Sequence, residues 1–273
     1  TKLSIGGFFK RRLIRLQPLV ILGMIIGALG FYASGSAMFP LIHTVPIWKV
    51  ILVMLIGFTL IPLPLSMDIR GWQEIHPLNG PGWSLFYEYI ANILYALGFR
   101  KLPKWALVAI VFLSGVWLIY YAVTSKTGDV IGGWTLNIEQ IQIGLTRMMF
   151  PFFAGLLLSR LTKPTQVKNA FIWSSLLLII TLAIPRIGGA NQLWLNGLYD
   201  SLTIIFIFPI IVYVGASGQI HSKAGSKICK FLGDISYPIY ITHYPLIYIY
   251  TGWVSDNRGL GFSAYLPYGL LSF

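Results

Sequence analysis

Long apolar stretches separated by short polar segments recur along the whole chain. Eight of them approach the length of about 20 residues that a helix needs to cross about 30 Å of hydrocarbon. Strands of a transmembrane barrel would instead alternate in polarity over about ten residues. The eight stretches, followed by a partial ninth at 265–273, lie at residues 13–34, 45–65, 83–99, 105–123, 139–159, 170–185, 200–216 and 235–253. The pattern therefore predicts an all-α, polytopic transmembrane helical bundle.

The composition strengthens this interpretation and excludes other classes. Of the 273 residues, 56% are hydrophobic and only 10% are charged, whereas soluble domains carry about 25% charged residues. So few charges cannot cover the surface of a water-soluble domain, which excludes a soluble enzyme and a small secreted scaffold. The one cysteine, Cys229, can form neither an intrachain disulfide nor a metal site.

The net charge of +12 indicates orientation in a bilayer, because cytoplasmic loops of membrane proteins retain Lys and Arg. No basic cluster is interleaved with stacking aromatic residues, so we expect no nucleic-acid partner. Basic clusters at residues 100–104, 160–168 and 223–230 fall on one side of an alternating chain, but the cluster at 10–15 does not. We therefore expect one re-entrant or broken segment between residues 13 and 82, where prolines interrupt the helical pattern.

The two ends of the chain also carry an expectation. The chain begins with Thr1 rather than Met, and it stops at Phe273 within an apolar run. We expect residues 1–273 to form a single transmembrane domain that is truncated at both ends.

Charged side chains within the spans are the first candidates for function, because burying each one unpaired costs several kcal/mol. Arg12 and Arg15 are three residues apart and share a helix face. Paired guanidinium groups bind phosphate in a bidentate manner. The alternative is an ordinary basic anchor at the cytoplasmic surface.

A second polar stripe begins at residue 84. A Gly/Pro turn opens a helix there, and Ser84, Glu88 and Asn92 follow one another at intervals of four. Glu88 could accept a proton or bind a substrate hydroxyl group. The alternative is a structural ion pair with an arginine of another span, for which Arg147 is a candidate.

A third candidate face lies in the last complete span. Ser236, Tyr240 and His243 are spaced by four and three residues and project from one side of a helix. A single histidine in a span serves either catalysis or packing, and the sequence leaves both open. His76 falls in a predicted loop and, like the other two histidines, is assigned no role.

Three blocks that contain these residues resemble the acyltransferase 3 family of bacterial membrane proteins. The first is Phe-Phe-x-x-Arg-x-x-Arg-x-x-Pro at residues 8–18, and the second is Trp-Ser-Leu-x-x-Glu at residues 83–88. The third is Leu-Gly-x-Ile-Ser-Tyr-x-x-Tyr-x-x-His-x-Pro at residues 232–245. Arg147, followed by Pro-Phe-Phe-Ala-Gly, resembles a fourth. The resemblance covers nearly the whole chain.

The resemblance implies a multi-pass O-acyltransferase of the bacterial cytoplasmic (inner) membrane. Such enzymes take an acyl group, most often acetyl, from acyl-CoA and transfer it to a hydroxyl group of a cell-surface carbohydrate or a similar acceptor. The implied partners are acyl-CoA, a carbohydrate or lipid-linked glycan, and the lipid bilayer. Acetyl-CoA would be a co-substrate, with no permanently bound cofactor and no metal.

The resemblance also implies roles for individual residues. Arg12 and Arg15 would contact the CoA phosphates, and Glu88 and His243 would be catalytic. A substrate pocket would be formed by Trp83, Ser84, Arg147, Ser236 and Tyr240. The family also carries a basic residue and a histidine in its first transmembrane helix, and this chain contains neither, so we expect it to lack that catalytic histidine.

Two other functions compete with acyl transfer at this stage. A transporter or flippase of a lipid-linked sugar or an organic anion would use Arg12, Arg15, Arg147 and Glu88 as an ion path. A purely structural membrane subunit would need none of these polar faces. Binding of acetyl-CoA that depends on Arg12 and Arg15 distinguishes the acyltransferase from the transporter.

Overall fold

The computed structural model describes residues 4–163, 165–189, 191–220 and 222–272. Over these residues the chain forms ten α-helices and no β-strand, which confirms the all-α prediction. The helices are α1 Ile5–Leu29, α2 Ile47–Gly57, α3 Gly82–Leu97, α4 Lys104–Thr124, α5 Ile138–Leu161, α6 Ala170–Ala183, α7 Leu193–Leu202, α8 Phe208–Ala216, α9 Lys223–Asp256 and α10 Phe262–Ser272.

Each predicted span overlaps a helix, but the lengths differ from the prediction. Among the described residues, four helices are long and apolar enough to cross a membrane: α1, α4, α5 and the continuous helix Leu193–Ala216. The apolar helices α2 and α6 have 11 and 14 residues, which correspond to only about 17 and 21 Å. The predicted number of about eight spans is therefore not confirmed.

The start of α9 differs most from the prediction. The helix begins at Lys223 and runs for 34 residues, whereas the apolar pattern begins only at residue 235. Lysine is a good helix former, so a polar segment can extend a helix that the hydrophobic pattern alone does not reveal. Pro238 and Pro245 consequently both lie in the interior of α9.

The described chain divides into two compact units. The first comprises the residues up to Ile90, Gly133–Ile141 and the residues from Cys229 onward. In this unit α1 packs against α2, and the chain between α2 and α3 is irregular apart from one short 3-10 turn. Most of residues 69–81 are buried despite this irregular backbone. A broken element was expected in this part of the sequence.

Two glycines of α1 allow this irregular segment to approach the helix backbone. A Cβ atom on Gly27 would lie 1.9 Å from the carbonyl oxygen of Leu78, and one on Gly23 would lie 2.4 Å from Nδ2 of Asn79. Both distances are far below van der Waals contact. Only glycine at these positions lets the segment that precedes α3 lie directly on α1.

The second unit comprises Ala91–Gly132 and Gln142–Ile228. Here α4 packs against α7, and α6 packs against α8. A Cβ atom on Gly197 of α7 would lie 2.1 Å from the carbonyl oxygen of Ala122 in α4, so these two helices touch through their backbones. Between α7 and α8 the helix widens into a π-helical turn at Thr203–Ile207.

The contact between α4 and α7 predicts that alanine substitutions at two helical glycines have different effects on stability. Gly197→Ala forces backbone atoms apart, and overpacking of this kind costs about 1–3 kcal/mol. Gly155 of α5 has no atom within 4 Å of an added Cβ, so Gly155→Ala should keep or raise stability through the helix propensity of alanine. We expect thermal unfolding in detergent at a lower temperature for Gly197→Ala only. Equal melting temperatures for the two variants would contradict this packing.

Candidate functional site

The first and second sequence blocks meet through an ion pair within the first unit. Nη1 of Arg12, on α1, lies 3.3 Å from Oε1 of Glu88, on α3. The side chains retain 35% and 40% of their accessible surface, so both charged groups are open to a ligand. One of the two roles that the sequence allowed for Glu88 was an ion pair with an arginine of another span. Arg12 is an arginine of this kind.

The second and third blocks meet through a buried amide. Pro245 has no N–H, so the carbonyl group of Ile241, four residues earlier in α9, loses its helical hydrogen bond. Nδ2 of Asn79 donates to this carbonyl oxygen at 2.8 Å. Asn79 is fully buried, and it compensates for the proline as a polar side chain must in an apolar medium.

Two hydroxyl groups add further contacts between the blocks. The hydroxyl groups of Ser84 and Tyr240 hydrogen-bond to each other, and Ser84 lies within hydrogen-bonding distance of the carbonyl oxygen of Pro81 at 2.9 Å. The hydroxyl of Tyr237 donates to the carbonyl oxygen of Leu16 at 3.0 Å. The first unit therefore brings all three blocks together, although up to 221 residues separate the bonded groups.

The position of His243 determines which of its ring nitrogens can act as a base. Nδ1 lies 2.9 Å from the carbonyl oxygen of Ile239. A carbonyl oxygen only accepts hydrogen bonds, so this contact places the proton on Nδ1 and leaves the lone pair on Nε2. The imidazole lies beside the rings of Tyr240 and Tyr244, at centroid distances of 6.2 and 5.8 Å. His243 can therefore accept a proton through Nε2.

Four further residues complete the set that the sequence predicts for the site. Arg15 is exposed on α1, and the hydroxyl of Ser236 donates to the carbonyl oxygen of Gly233 within α9 at 2.8 Å. The ring of Trp83 lies 6.1 Å from that of Tyr87. Arg147 belongs to the second unit, where its Nη1 donates to the carbonyl oxygen of Gly132 at 2.8 Å.

The sequence did not predict a charged cluster in the core of the first unit. Arg70 is 1% exposed, and its guanidinium carbon lies 3.8 Å from the centre of the Tyr248 ring. The centres of the Phe31 and Phe39 rings each lie 5.2 Å from the same guanidinium carbon. The guanidinium group also donates to the hydroxyl of Ser34 at 2.8 Å and to the carbonyl oxygen of Pro77. Cation–π contacts of this kind stabilise a desolvated charge.

Glu74 belongs to the same cluster. It accepts a hydrogen bond of 2.6 Å from the hydroxyl of Tyr248. Burial raises the pKa of Glu74 to about 7, although this hydrogen bond and the charge of Arg70 oppose the shift. In the sequence, Tyr244 and Tyr248 are four residues apart, and this spacing on one helix face could have indicated an aromatic cluster around a buried group.

His76 is buried beside the start of α3. A Cβ atom on Gly82 would lie 2.9 Å from Cγ of His76, so the glycine that opens α3 makes room for the ring. Burial lowers the pKa of His76 to about 3, which keeps the imidazole neutral at physiological pH. Neither ring nitrogen has a hydrogen-bond partner among the described residues. The sequence placed His76 in a loop, which is correct, and gave no sign of its burial.

The first unit thus contains two polar regions of different character. The cluster around Arg70 is enclosed and holds the fold together. The region of Arg12, Glu88, Ser84, Tyr240 and His243 retains exposed polar atoms, including a cationic group, a carboxylate and an imidazole. Such a set can bind an anionic ligand and accept a proton from a hydroxyl group.

A family model described as an acyltransferase domain matches the chain over residues 1–273. No curated protein and no solved structure matches the chain.

The pairing of Asn79 with the carbonyl group of Ile241 predicts coupling between Asn79 and Pro245. Asn79→Ala should destabilise the protein by about 1–3 kcal/mol, because it leaves a buried carbonyl group unsatisfied. Pro245→Ala restores an N–H group to that carbonyl, so Asn79→Ala should cost less in the Pro245→Ala background. Unfolding of the wild type, both single variants and the double variant in detergent measures this coupling. Strictly additive losses would show that the amide does not compensate for the proline.

Proposed function

The chain belongs to the acyltransferase 3 family, and on that premise we propose that it is an O-acyltransferase that uses acyl-CoA. The acyl group is acetyl in this proposal, and the acceptor is a hydroxyl group of a cell-surface carbohydrate or a lipid-linked glycan. The four apolar helices and the family support a multi-pass membrane protein. We assign it to the cytoplasmic membrane of a bacterium, where acetyl-CoA is available on the inner side.

The observation that carries the proposal is the ion pair between Arg12 and Glu88, together with the hydrogen bond between Ser84 and Tyr240. These contacts bring a cationic group, a carboxylate and two hydroxyl groups from three distant blocks into one compact unit. Arg15 lies on the same helix as Arg12 and is exposed. Both arginines are available to charged phosphate groups, which a guanidinium group binds with two parallel hydrogen bonds.

The chemistry is a direct transfer. The acceptor oxygen attacks the carbonyl carbon of the thioester, a C–O bond forms, and the C–S bond breaks. The proton of the acceptor hydroxyl passes to a base on the protein and then to the departing thiolate, which leaves as free CoA. A thioester is reactive enough that no covalent intermediate on the protein is required.

Glu88 and His243 are the proposed bases. The Glu88 side chain lies beside Arg12 and is 40% exposed, so its carboxylate oxygens are accessible to an acceptor hydroxyl group. His243 presents the lone pair of Nε2, because its Nδ1 faces a backbone carbonyl. In this proposal Trp83 and Ser84 shape the turn that presents Glu88, while Tyr240 and Ser236 line the acceptor side.

Glu88→Gln tests the catalytic role of this carboxylate. The substitution keeps the size of the side chain and removes the proton acceptor, so acyl transfer should fall at least about 100-fold. Stability should change little, because half-exposed ion pairs contribute about 0–1 kcal/mol. The measurement is transfer of labelled acetyl from acetyl-CoA to surface carbohydrate by membranes that contain the full-length protein.

The matched control for this experiment is Glu139→Gln. Glu139 is an exposed carboxylate in the first turn of α5, and its substitution should leave acetyl transfer unchanged. Full activity of Glu88→Gln would remove Glu88 from the reaction.

Binding of acetyl-CoA tests the phosphate contacts. Arg12→Ala combined with Arg15→Ala should weaken binding at least about tenfold, because it removes two charge-assisted donors. The control is Lys10→Ala combined with Arg11→Ala, which removes the same charge from two exposed neighbours. Calorimetric titration in detergent measures both affinities. A well-folded protein that binds no acetyl-CoA would refute the donor assignment and favour transport of a lipid-linked sugar or an organic anion.

A further inference from the structure

The second unit contains a groove that the proposed reaction does not use. It lies between α4, α5 and the helix Leu193–Ala216, and its volume is about 460 Å³. Every lining residue is apolar, among them Val108, Phe112, Leu161 and Phe206. Ligand sites in proteins typically measure about 300–1,000 Å³, and this groove is open on one side, where Phe112 and Phe206 are 68% and 58% exposed. A hydrocarbon chain is therefore the chemistry that fits the groove.

A second, smaller cavity adjoins the groove. Its volume is about 120 Å³, and it shares Phe150, Ala154, Leu158 and Pro209 with the larger one. The two cavities therefore adjoin each other beside α5 and α8. Two adjoining apolar cavities suit a ligand that carries two hydrocarbon chains.

The local sequence explains why the groove is open. Gly115 on α4 and Ala154 on α5 leave space where larger side chains would fill it. On the third helix, Pro209 lies two residues after the end of the π-helical turn Thr203–Ile207. Such turns are rare and often mark functional sites within helices.

Basic side chains lie at one end of the groove. Val108 and Leu161 line the end at which α4 begins and α5 finishes. At that end the sequence has five basic residues and no acidic residue within 97–104 and 158–163. The basic residues are Arg100, Lys101, Lys104, Arg160 and Lys163.

The basic residues at this end of the groove have two roles, because the lysines are exposed to a ligand whereas Arg160 bonds to the backbone. Arg160 donates to the carbonyl oxygens of Leu102 at 2.6 Å and of Arg100 at 2.9 Å. This fixes the turn that joins α3 to α4. Lys101, Lys104 and Lys163 are exposed beside that turn.

We propose that this groove is a binding site for an anionic glycerophospholipid. The two acyl chains occupy the paired apolar cavities, and the phosphate headgroup lies among Lys101, Lys104 and Lys163. Basic residues next to a membrane surface attract anionic lipids, and an apolar groove that ends in a basic cluster matches a phospholipid in both charge and polarity. The site is independent of the acyl-transfer reaction and lies in the other unit.

Photolabelling tests the chain-binding part of the site. The protein is placed in phosphatidylcholine nanodiscs that contain phosphatidylglycerol with a diazirine in one acyl chain, and the labelled peptides are mapped by mass spectrometry. We expect labels on groove residues of α4, α5 and α8. Ala154→Leu should reduce this labelling at least fivefold, whereas Ala109→Leu, on the exposed surface of α4 outside the groove, should not change it.

Lysines at the two ends of α4 provide a test variant and a matched control for binding of the lipid headgroup. Lys104→Gln should lower groove labelling by phosphatidylglycerol about fivefold, as expected for one basic residue at an anionic lipid. Lys126→Gln, an exposed lysine just past the other end of the helix, should leave it unchanged. Phosphatidylcholine with the same diazirine should label the groove weakly.

Two results would overturn the proposal. Equal labelling by both lipids in wild type and in Lys104→Gln would show that the groove admits any bilayer lipid without recognising an anion. Unchanged labelling in Ala154→Leu, with peptides mapping elsewhere, would show that the chains do not enter the groove. Because Lys104 is exposed, its substitution keeps the test valid even if Ala154→Leu fails to fold.

Discussion

The first unit depends on one hydrogen bond, from the buried amide of Asn79 to the carbonyl group of Ile241. Pro245 leaves that carbonyl without its helical partner, and an apolar surrounding offers no water to replace it. The amide also lies against Gly23, where a Cβ atom would come within 2.4 Å. Three distant parts of the chain thus meet at one side chain. The turn that begins α3, and with it the position of Glu88, follows from this contact.

Two arginines of the first unit have different roles because they differ in burial. Arg70 is enclosed by three aromatic rings, and it donates to the hydroxyl of Ser34 and to the carbonyl oxygen of Pro77, so groups of the protein itself stabilise its charge. The side chains of Arg12 and Glu88 remain 35% and 40% exposed, so water weakens their attraction and a ligand can compete for either group. The enclosed arginine stabilises the unit, and the exposed pair is suited to bind a substrate.

The two units differ in the kind of ligand that they fit. The first presents charged, hydroxyl and imidazole groups, which suit an activated acyl donor and a hydroxyl acceptor. The second presents an apolar groove that ends in lysines, which suits a phospholipid. A membrane acyltransferase can carry both kinds of surface, because acyl transfer is polar while the surrounding bilayer is hydrocarbon.

The sequence by itself determined the helical class, apolar segments that each overlap a helix, and the three blocks that meet in the first unit. These are local properties, because apolar runs and short motifs act over a few residues. Only the tertiary structure decided which distant side chains contact each other and how long each helix is. Arg12 pairs with Glu88 across 76 positions, and Asn79 compensates for Pro245 through a carbonyl 162 positions away. The burial of Arg70 was invisible in the sequence, because a polar loop residue becomes a core residue only when distant aromatic rings enclose it.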